Sequence, residues 1–492
     1  MRWPDPAVPV RMQRVALVAP EAALREVLAS VADAAIMQID RESGPRRAAG
    51  IPGTGAGLAG LPADTRPRGP AAQPASALIS ATLPDVQELE RSGRYDLLAG
   101  EAELRDHAAA AMHRRDAAAL VGWIPVGRLP EITAALADAG GAVVPLARPA
   151  WSQPPTLLPE RGLQHELAPL VQTYGTVPYA DLDPSWLAWA SYVLMFGMMF
   201  GDAGQGVLLL AVAVALRFGW PRRLRRFRAA WPFVGGAGLA ATLFGLLYGE
   251  CFGPTGLVPI FWLSPLARPV TLLLTAAGFG AVLLAGAYAL GTINRWREGG
   301  WRAALYAPSG IAGCCLFLGA ATGLAAWHFH ETGWLAAGGL LALAGLGLAF
   351  AGYLAEAGRG GTAVTQACVE LFDMVVRLGS NVVSFTRLAA FGLTHAALGL
   401  LIFEGTRALW HRGGVFTVAG VVLFAAGTAL AFSLEALVAA IQALRLEYYE
   451  LFSRVFVAQG EPFRPWHVPV AREAEQDTGK LTRTLDMEVA RP

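Results

Sequence analysis

"SNVVSFTRLAAFGLTHAALG", Ser380 to Gly399, is apolar enough to lie in a membrane, yet it carries Arg387 near its start and His395 two turns later. An arginine at mid-bilayer costs roughly 2.5–3.5 kcal/mol on insertion scales, so its position asks for a reason. One reason is plain: Arg387 follows the start of its span closely enough to snorkel to the surface. The same tension recurs in "LVAAIQALRLEYYE", where Arg445 lies near the end of another apolar run.

Composition supports a membrane class. Of 492 residues, 54% are hydrophobic and only 16% charged, far from the balance of a soluble domain. A net charge of +1 carries no bias toward nucleic acid. Cys251, Cys314, Cys315 and Cys368 sit in or beside apolar stretches, without a C-x-x-C pair or metal-spaced histidines, and read as packing residues. No metal or other cofactor is expected. The opening "MRWPDPAVPVRMQRVALV" lacks the apolar core and cleavage site of a secretory signal, so the first domain is expected to stay in the cytoplasm.

Outward from the quoted stretch, apolar runs cover about 187–201, 204–218, 230–248, 270–292, 303–327, 333–355, 379–410 and 415–446. Most reach the ~20 residues that a spanning helix needs. About eight transmembrane helices are expected in a mainly α, polytopic protein, over a domain running 176–465. The first two runs are short and separated by "GDAGQG"; they form either a tight hairpin, the preferred reading, or one kinked helix. Basic residues cluster after the second run (Arg217, Arg222, Arg223, Arg225, Arg226, Arg228) and after the fourth (Arg295, Arg297, Arg302). By the positive-inside rule those loops face the cytoplasm, and both termini with them.

Residues 1–175 read as a small α+β and helical cytoplasmic domain. Val15 to Val18 is strand-like, and Leu24, Val27, Leu28 and Val31 form one helical stripe. The Gly- and Pro-rich segment at about 43–76 reads as a flexible linker, Leu83 to Asp116 as a helical arm. "AALVGWIPVGRLPEITAALADAGGAVVPL" reads as strand, turn, helix, strand, and 466–492 as a cytoplasmic tail.

Polar residues inside the apolar runs define candidate seams. Ser384, Arg387, Thr394 and His395 fall in one polar sector of the seventh span. On the eighth, Glu435 and Gln442 are seven residues and so ~10.5 Å apart on one face, with Arg445 a turn further. Arginine cannot deliver protons, but its fixed charge holds a nearby carboxylate ionised. Blander readings stand beside these: His395, Glu435 and Gln442 as interhelical glue, Asp373 with Arg377 as a surface i, i+4 pair, and Asp202 and Glu250 as helix terminators.

Four stretches, "MFGMMFGDAGQG" (195–206), "LFGLLYGECFG" (243–253), "SNVVSFTRLAAFGLTHAALG" and "EALVAAIQALRLEYYELFSRVF" (435–456), resemble in order the membrane subunit called a or I of V-type and archaeal or bacterial A-type ATPases, the 116 kDa subunit family. The amino-terminal segments resemble that family's cytoplasmic domain in shortened form. The resemblance implies the stator half of a rotary proton path, in a bacterial or archaeal plasma membrane, with the last two helices long and tilted. The counterpart of Arg387 faces the essential carboxylate of a rotor ring, with Arg445 on the neighbouring helix. Positions matching Glu435, Gln442 and His395 are associated with the half-channels, Ser384 is counted with the ion-translocating residues, and Glu370 and Asp373 match acidic positions near the cytoplasmic opening.

Implied partners are a proteolipid (c/K) ring, peripheral stalk subunits of E/G type, a central-stalk C/d type subunit and membrane lipids. The subunit itself is non-catalytic, in keeping with the lack of a G-x-x-x-x-G-K-[ST] phosphate loop. Phe385 stands where tyrosine is commoner in the family, and Gln442 where eukaryotic relatives often carry histidine. The alternative is a secondary transporter using its arginines to bind an anionic substrate, although the paired halves of such folds are not evident.

Overall fold

The computed structural model describes residues 8–40, 95–149, 152–158, 163–219, 222–358, 360–457 and 459–467. The Gly/Pro segment at 43–76, residues 83–94 of the expected arm and most of the expected tail lie outside them. The chain divides into two units, one of residues 158–461 and one of 10–157 with the segment from 462 on.

The smaller unit is an antiparallel sheet with helices on it. Strand β1 (Met12–Pro20) leads to α1 (Leu24–Ala34), whose buried Leu24, Val27, Leu28 and Val31 are the stripe expected from their spacing. After the short β2 (Gln38–Ile39) come α2 (Tyr95–Ala110), β3 (Met112–Arg114), β4 (Ala117–Pro125), α3 (Leu129–Asp138) and β5 (Ala142–Pro145). The sheet order is β2-β4-β1-β5, with β3 also paired to β4. The arm therefore ends at Ala110 and not at Asp116, because Met112 pairs with Ala119 and Arg114 with Ala117 in a hairpin. Arg25 on α1 grips the buried Glu101 on α2 at 2.5 Å. Phe463 and Trp466 return to this unit: the Phe463 amide bonds the Thr156 carbonyl, and the Trp466 amide bonds that of Met37. The Trp466 ring is buried in the sheet-and-helix core.

The larger unit is helical. It holds α4 (Leu163–Tyr174), α5 (Ser185–Met199), α6 (Ala203–Phe218), α7 (Trp231–Tyr248), α8 (Pro269–Tyr306), α9 (Ile311–His328), α10 (Thr332–Ala357), α11 (Gly361–Ser384), α12 (Thr386–Trp410) and α13 (Val415–Leu446). A π-helical turn, Glu447–Phe452, continues α13. Among the described residues six helical stretches are long and apolar enough to cross a membrane, while α5 and α6 are shorter apolar helices. Helix α4 packs on α5, so the boundary between units falls at 157/158 and not at 175.

Glycines on α7 show how the first pair is arranged. Gly236 lies on Trp189 and Val193, and Ala240 on Gly197, so α5 runs parallel to α7; Gly238 meets Leu210, Thr242 meets Gly206 and Gly245 meets Ala203, so α6 runs antiparallel. The chain thus turns back at Phe200–Asp202, a hairpin with α7 against both arms.

Two expected boundaries move. The fourth span continues to Tyr306 with a break at Gly300, whose φ of 72° suits glycine, so α9 starts at 311 and not 303. The seventh span, expected as one helix over 379–410, is divided at Phe385. Its ring is fully buried against Gly280 of α8, where any side chain would collide with it.

Candidate polar path between the last two long helices

Helices α12 and α13 pack against each other, and α12 also packs on α8 and α5. Their polar residues fall into two groups, separated along α12 by the eight residues from Arg387 to His395, or ~12 Å.

The first group surrounds His395. Its Nδ1 meets the Glu435 carboxylate across the helix pair, and Phe200 lies against the ring at 4.9 Å between centroids. The other oxygen of Glu435 and the side-chain oxygen of Gln205 are buried without a hydrogen-bond partner. A small cavity beside them is lined by Gln205, Phe252, His395, Thr428 and Glu435 among others. Asp202, fully buried, caps α6 by accepting from the Gln205 amide at 2.9 Å. It also accepts from the amides of Phe252 at 3.0 Å and Gly253 at 2.9 Å, binding the loop after α7 to the turn before α6. Glu250 in that loop is buried and pushed up to about 7, first by burial, with Asp202 and Glu435 acting in the same direction and His395 against it.

The second group surrounds Arg387. Its Nη2 pairs with Glu450 Oε1 at 3.3 Å, from the π-helical turn, while Nη1 is buried without a partner. Glu447, on the same turn, meets Ser191 of α5 at 2.7 Å. Asn381 of α11, with its amide oriented to donate to the Arg377 carbonyl, accepts from Arg454 at 3.1 Å. Arg454 also lies over the Tyr288 ring at 5.7 Å. Asn294 of α8 ties the end of this region to the start of α5, accepting from the Leu182 amide at 3.1 Å and donating to the Val455 carbonyl at 3.0 Å.

Not every residue singled out in the sequence joins these groups as expected. Ser384 is the last residue of α11, half-buried, with Phe385 between it and the start of α12, and among the described residues no hydrogen bond joins it to Arg387. Thr394 is exposed and its neighbour His395 buried, because successive helical residues point ~100° apart; they do not form one sector. The expected seam on α13 divides for the same reason. Glu435 faces His395, and Gln442 is half-buried with its oxygen unpartnered. Arg445 is instead exposed, in line with Leu434, Val438, Ile441 and Tyr449, all exposed. No carboxylate among the described residues lies within ion-pair distance of it. On α11, Asp373 pairs with Arg377 at 2.7 Å on an exposed face, and Glu370 accepts from Gln366 at 2.9 Å.

Sequence reading passed over Glu447, Glu450 and Arg454. The signal available was "RLEYYE" itself: two acids directly after an arginine, at the end of an otherwise acid-poor apolar run.

The chain is similar in sequence to known proteins. Residues 109–253 match the model of the V-type ATPase 116kDa subunit family. The chain is 28% identical over 350 residues to the A-type ATP synthase subunit I of Aeropyrum pernix, covering 62% of this chain and 50% of that one. With subunit I of Thermococcus kodakarensis it is 24% identical over 368 residues, 71% of this chain and 54% of the other. A V-type ATP synthase subunit I 2 of Treponema pallidum is 38% identical over 104 residues, 21% of this chain and 22% of its own. The chain spans about half the length of the A-type relatives it matches. It is a multi-helix membrane protein related to subunit I of the A- and V-type ATP synthases, the V-type ATPase 116kDa subunit family.

Proposed function

We propose that this chain is the stator subunit of the membrane sector of a rotary V/A-type ATPase or ATP synthase, and that it conducts protons between half-channels kept apart by Arg387 and Arg445. One observation carries the reading. Arg387, within one of the two polar groups, has a buried nitrogen without a hydrogen-bond partner, and Arg445, with no carboxylate among the described residues within ion-pair distance, sits on an exposed, largely apolar face of α13. A cation on such a face of a membrane helix needs a partner's carboxylate, which a proteolipid ring supplies.

The chemistry follows. A proton reaches the ring carboxyl by way of Glu250, His395 and Glu435, where orphaned acceptors suit a chain of water. Neutralised, the carboxyl turns into lipid; returning, it meets the arginines, ionises and releases its proton toward the Glu450, Asn381 and Arg454 side, with Glu370 and Asp373 near the cytoplasmic opening. The fixed charges block a direct leak. Each proton crossing 100 mV gains about 2.3 kcal/mol, so several are coupled to each ATP made or used on partner subunits. Basic loops and both termini face the cytoplasm of the plasma membrane, and peripheral and central stalk subunits join the complex there.

The decisive variant is Arg387→Ala in the complex reconstituted into vesicles. Loss of ATP-driven proton uptake with the rotor still bound is the expected outcome; uptake at the wild-type rate would overturn the proposal. A secondary transporter would instead move an anion without the ring.

A further inference from the structure

The chain just before α5 is laid on one face of α8. Arg297 donates through Nε to the Ala180 carbonyl at 2.6 Å, and the Leu182 amide donates to the Asn294 side chain at 3.1 Å. Between these anchors Asp181 is fully buried, and neither of its carboxyl oxygens has a hydrogen-bond donor among the described residues. What meets it is another acid: Glu298, which shares the face of Asn294 at i, i+4, acts on Asp181 both by its charge and through a side-chain contact.

Two carboxylates in contact share a proton rather than ionise together, and a buried carboxylate without a donor is costly. Glu298 has its own cation, Arg295 at 2.6 Å, whereas Asp181 forms no ion pair among the described residues. The proton therefore belongs on Asp181, where it supplies the missing hydrogen bond to Glu298. Burial first, then Glu298, pushes Asp181 up to about 8, with Arg295 and Arg297 opposing. The other titratable groups around this loop are occupied or set apart: Asp183 accepts from the Ser185 amide and hydroxyl, Arg454 serves Asn381 and the Tyr288 ring, Tyr179 is half-buried, and Glu461 is exposed beyond the Gly460 that packs on Val177.

Asn294 makes the loop matter to the polar path. Besides holding Leu182 it donates to the Val455 carbonyl at 3.0 Å, just beyond the turn that presents Glu450 to Arg387. We propose that residues 180–182 are a pH-governed latch, closed on α8 while Asp181 and Glu298 share one proton and lifted by carboxylate repulsion when that proton leaves, which slackens the frame of the polar path. The effect on transport rests on the proton-translocating reading above. On release the Asp181 O–H bond breaks and its proton passes to solvent hydroxide as water. Because the folded acid is raised, the latch is closed at lower pH and opens as pH rises through about 8, acting as a brake in an alkaline cytoplasm.

The test uses the complex reconstituted into vesicles. Hydrogen exchange at the Leu182 amide, corrected for its intrinsic rate, should show protection falling at least tenfold between about pH 7 and about pH 9 in the wild type. Asp181→Asn keeps a donor for Glu298 but has no proton to lose, so its protection should stay level. Protons taken up per ATP, with pH varied on the ATP side alone, should fall at least twofold over the same range in the wild type and hold steady in Asp181→Asn. Equal falls in both proteins, a level wild type, or an exchange step with unaltered protons per ATP overturns the proposal. Should Asp181→Asn fail to assemble, Glu298→Gln decides it: with no second carboxylate to meet, the step near pH 8 should vanish, and its persistence refutes the latch. Arg387→Ala separates this from the broader reading, since loss of uptake there with no exchange step in the wild type sinks the latch alone, and wild-type uptake there sinks the translocation reading alone.

Discussion

Removing the Asp202 carboxylate should loosen two segments at once. Asp202 is fully buried; one oxygen accepts from the Gln205 and Phe252 amides, the other from Gly253. A simple helix cap is worth ~1 kcal/mol. In Asp202→Ala the buried Gln205 and Gly253 amides and the half-buried Phe252 amide lose their partner, and at about 1–3 kcal/mol for each orphaned donor the loss is about 3–9 kcal/mol, toward the lower end because water reaches Phe252. Asp202→Asn keeps the oxygen shared by Gln205 and Phe252 and places an N–H against that of Gly253, so one bond is lost, about 1–3 kcal/mol. Equilibrium unfolding in mixed micelles measures both, and hydrogen exchange at the Phe252 and Gly253 amides locates the effect. If Asp202→Ala lost only ~1 kcal/mol and those two amides stayed protected, the residue would be an ordinary cap and the clamp argument would be wrong.

Three further outcomes follow from particular contacts. Gly280→Ala drives a methyl into the Phe385 ring and should destabilise by about 1–3 kcal/mol, while Gly278→Ala, facing open space two residues earlier, should not; equal unfolding midpoints for the two would contradict the packing described. Asp181, in the loop before α5, is pushed up to about 8 by burial, with Glu298 adding to the effect and Arg295 and Arg297 opposing it. Its folded form holds a proton that the unfolded chain gives up, so its contribution is complete below about pH 4 and drains away up to about pH 8, by ~1.4 kcal/mol per pH unit. Asp181→Asn should flatten that slope in unfolding measured from pH 4 to 9, and parallel curves would count against it. Trp466→Ala removes a ring packed on the smaller unit's core and hydrogen-bonded to Glu103 at 3.3 Å; a loss of about 3–5 kcal/mol should show as faster exchange in α1 and β2, and unchanged exchange would contradict it.

Much of the architecture was open to reading. Runs near 20 apolar residues announce spanning helices because no other local structure satisfies the backbone in lipid. Val27, Leu28 and Val31 announced the face of α1 by their spacing alone. The break at Phe385 was not legible: phenylalanine is compatible with a helix, and the division comes with Gly280, more than a hundred residues earlier in the chain, leaving room for its ring. Nor was the division of the α13 seam, since a count of turns put Arg445 beside Gln442 although three residues of rotation carry it out of the buried side.

Composition and local periodicity therefore determined the membrane class, the approximate spans, the sheet-bearing unit and the presence of arginines and a histidine in apolar surroundings. These properties depend on neighbours within a turn or two. Tertiary structure alone decided that Arg387 meets Glu450, that Glu435 meets His395, that Ser191 meets Glu447 and that Arg445 is left facing outward. Those pairings join side chains 40 to 256 residues apart, and each depends on helix rotation and on which helices lie side by side. A pattern along one helix does not contain that information, because a buried polar group is satisfied by whatever packing brings to it.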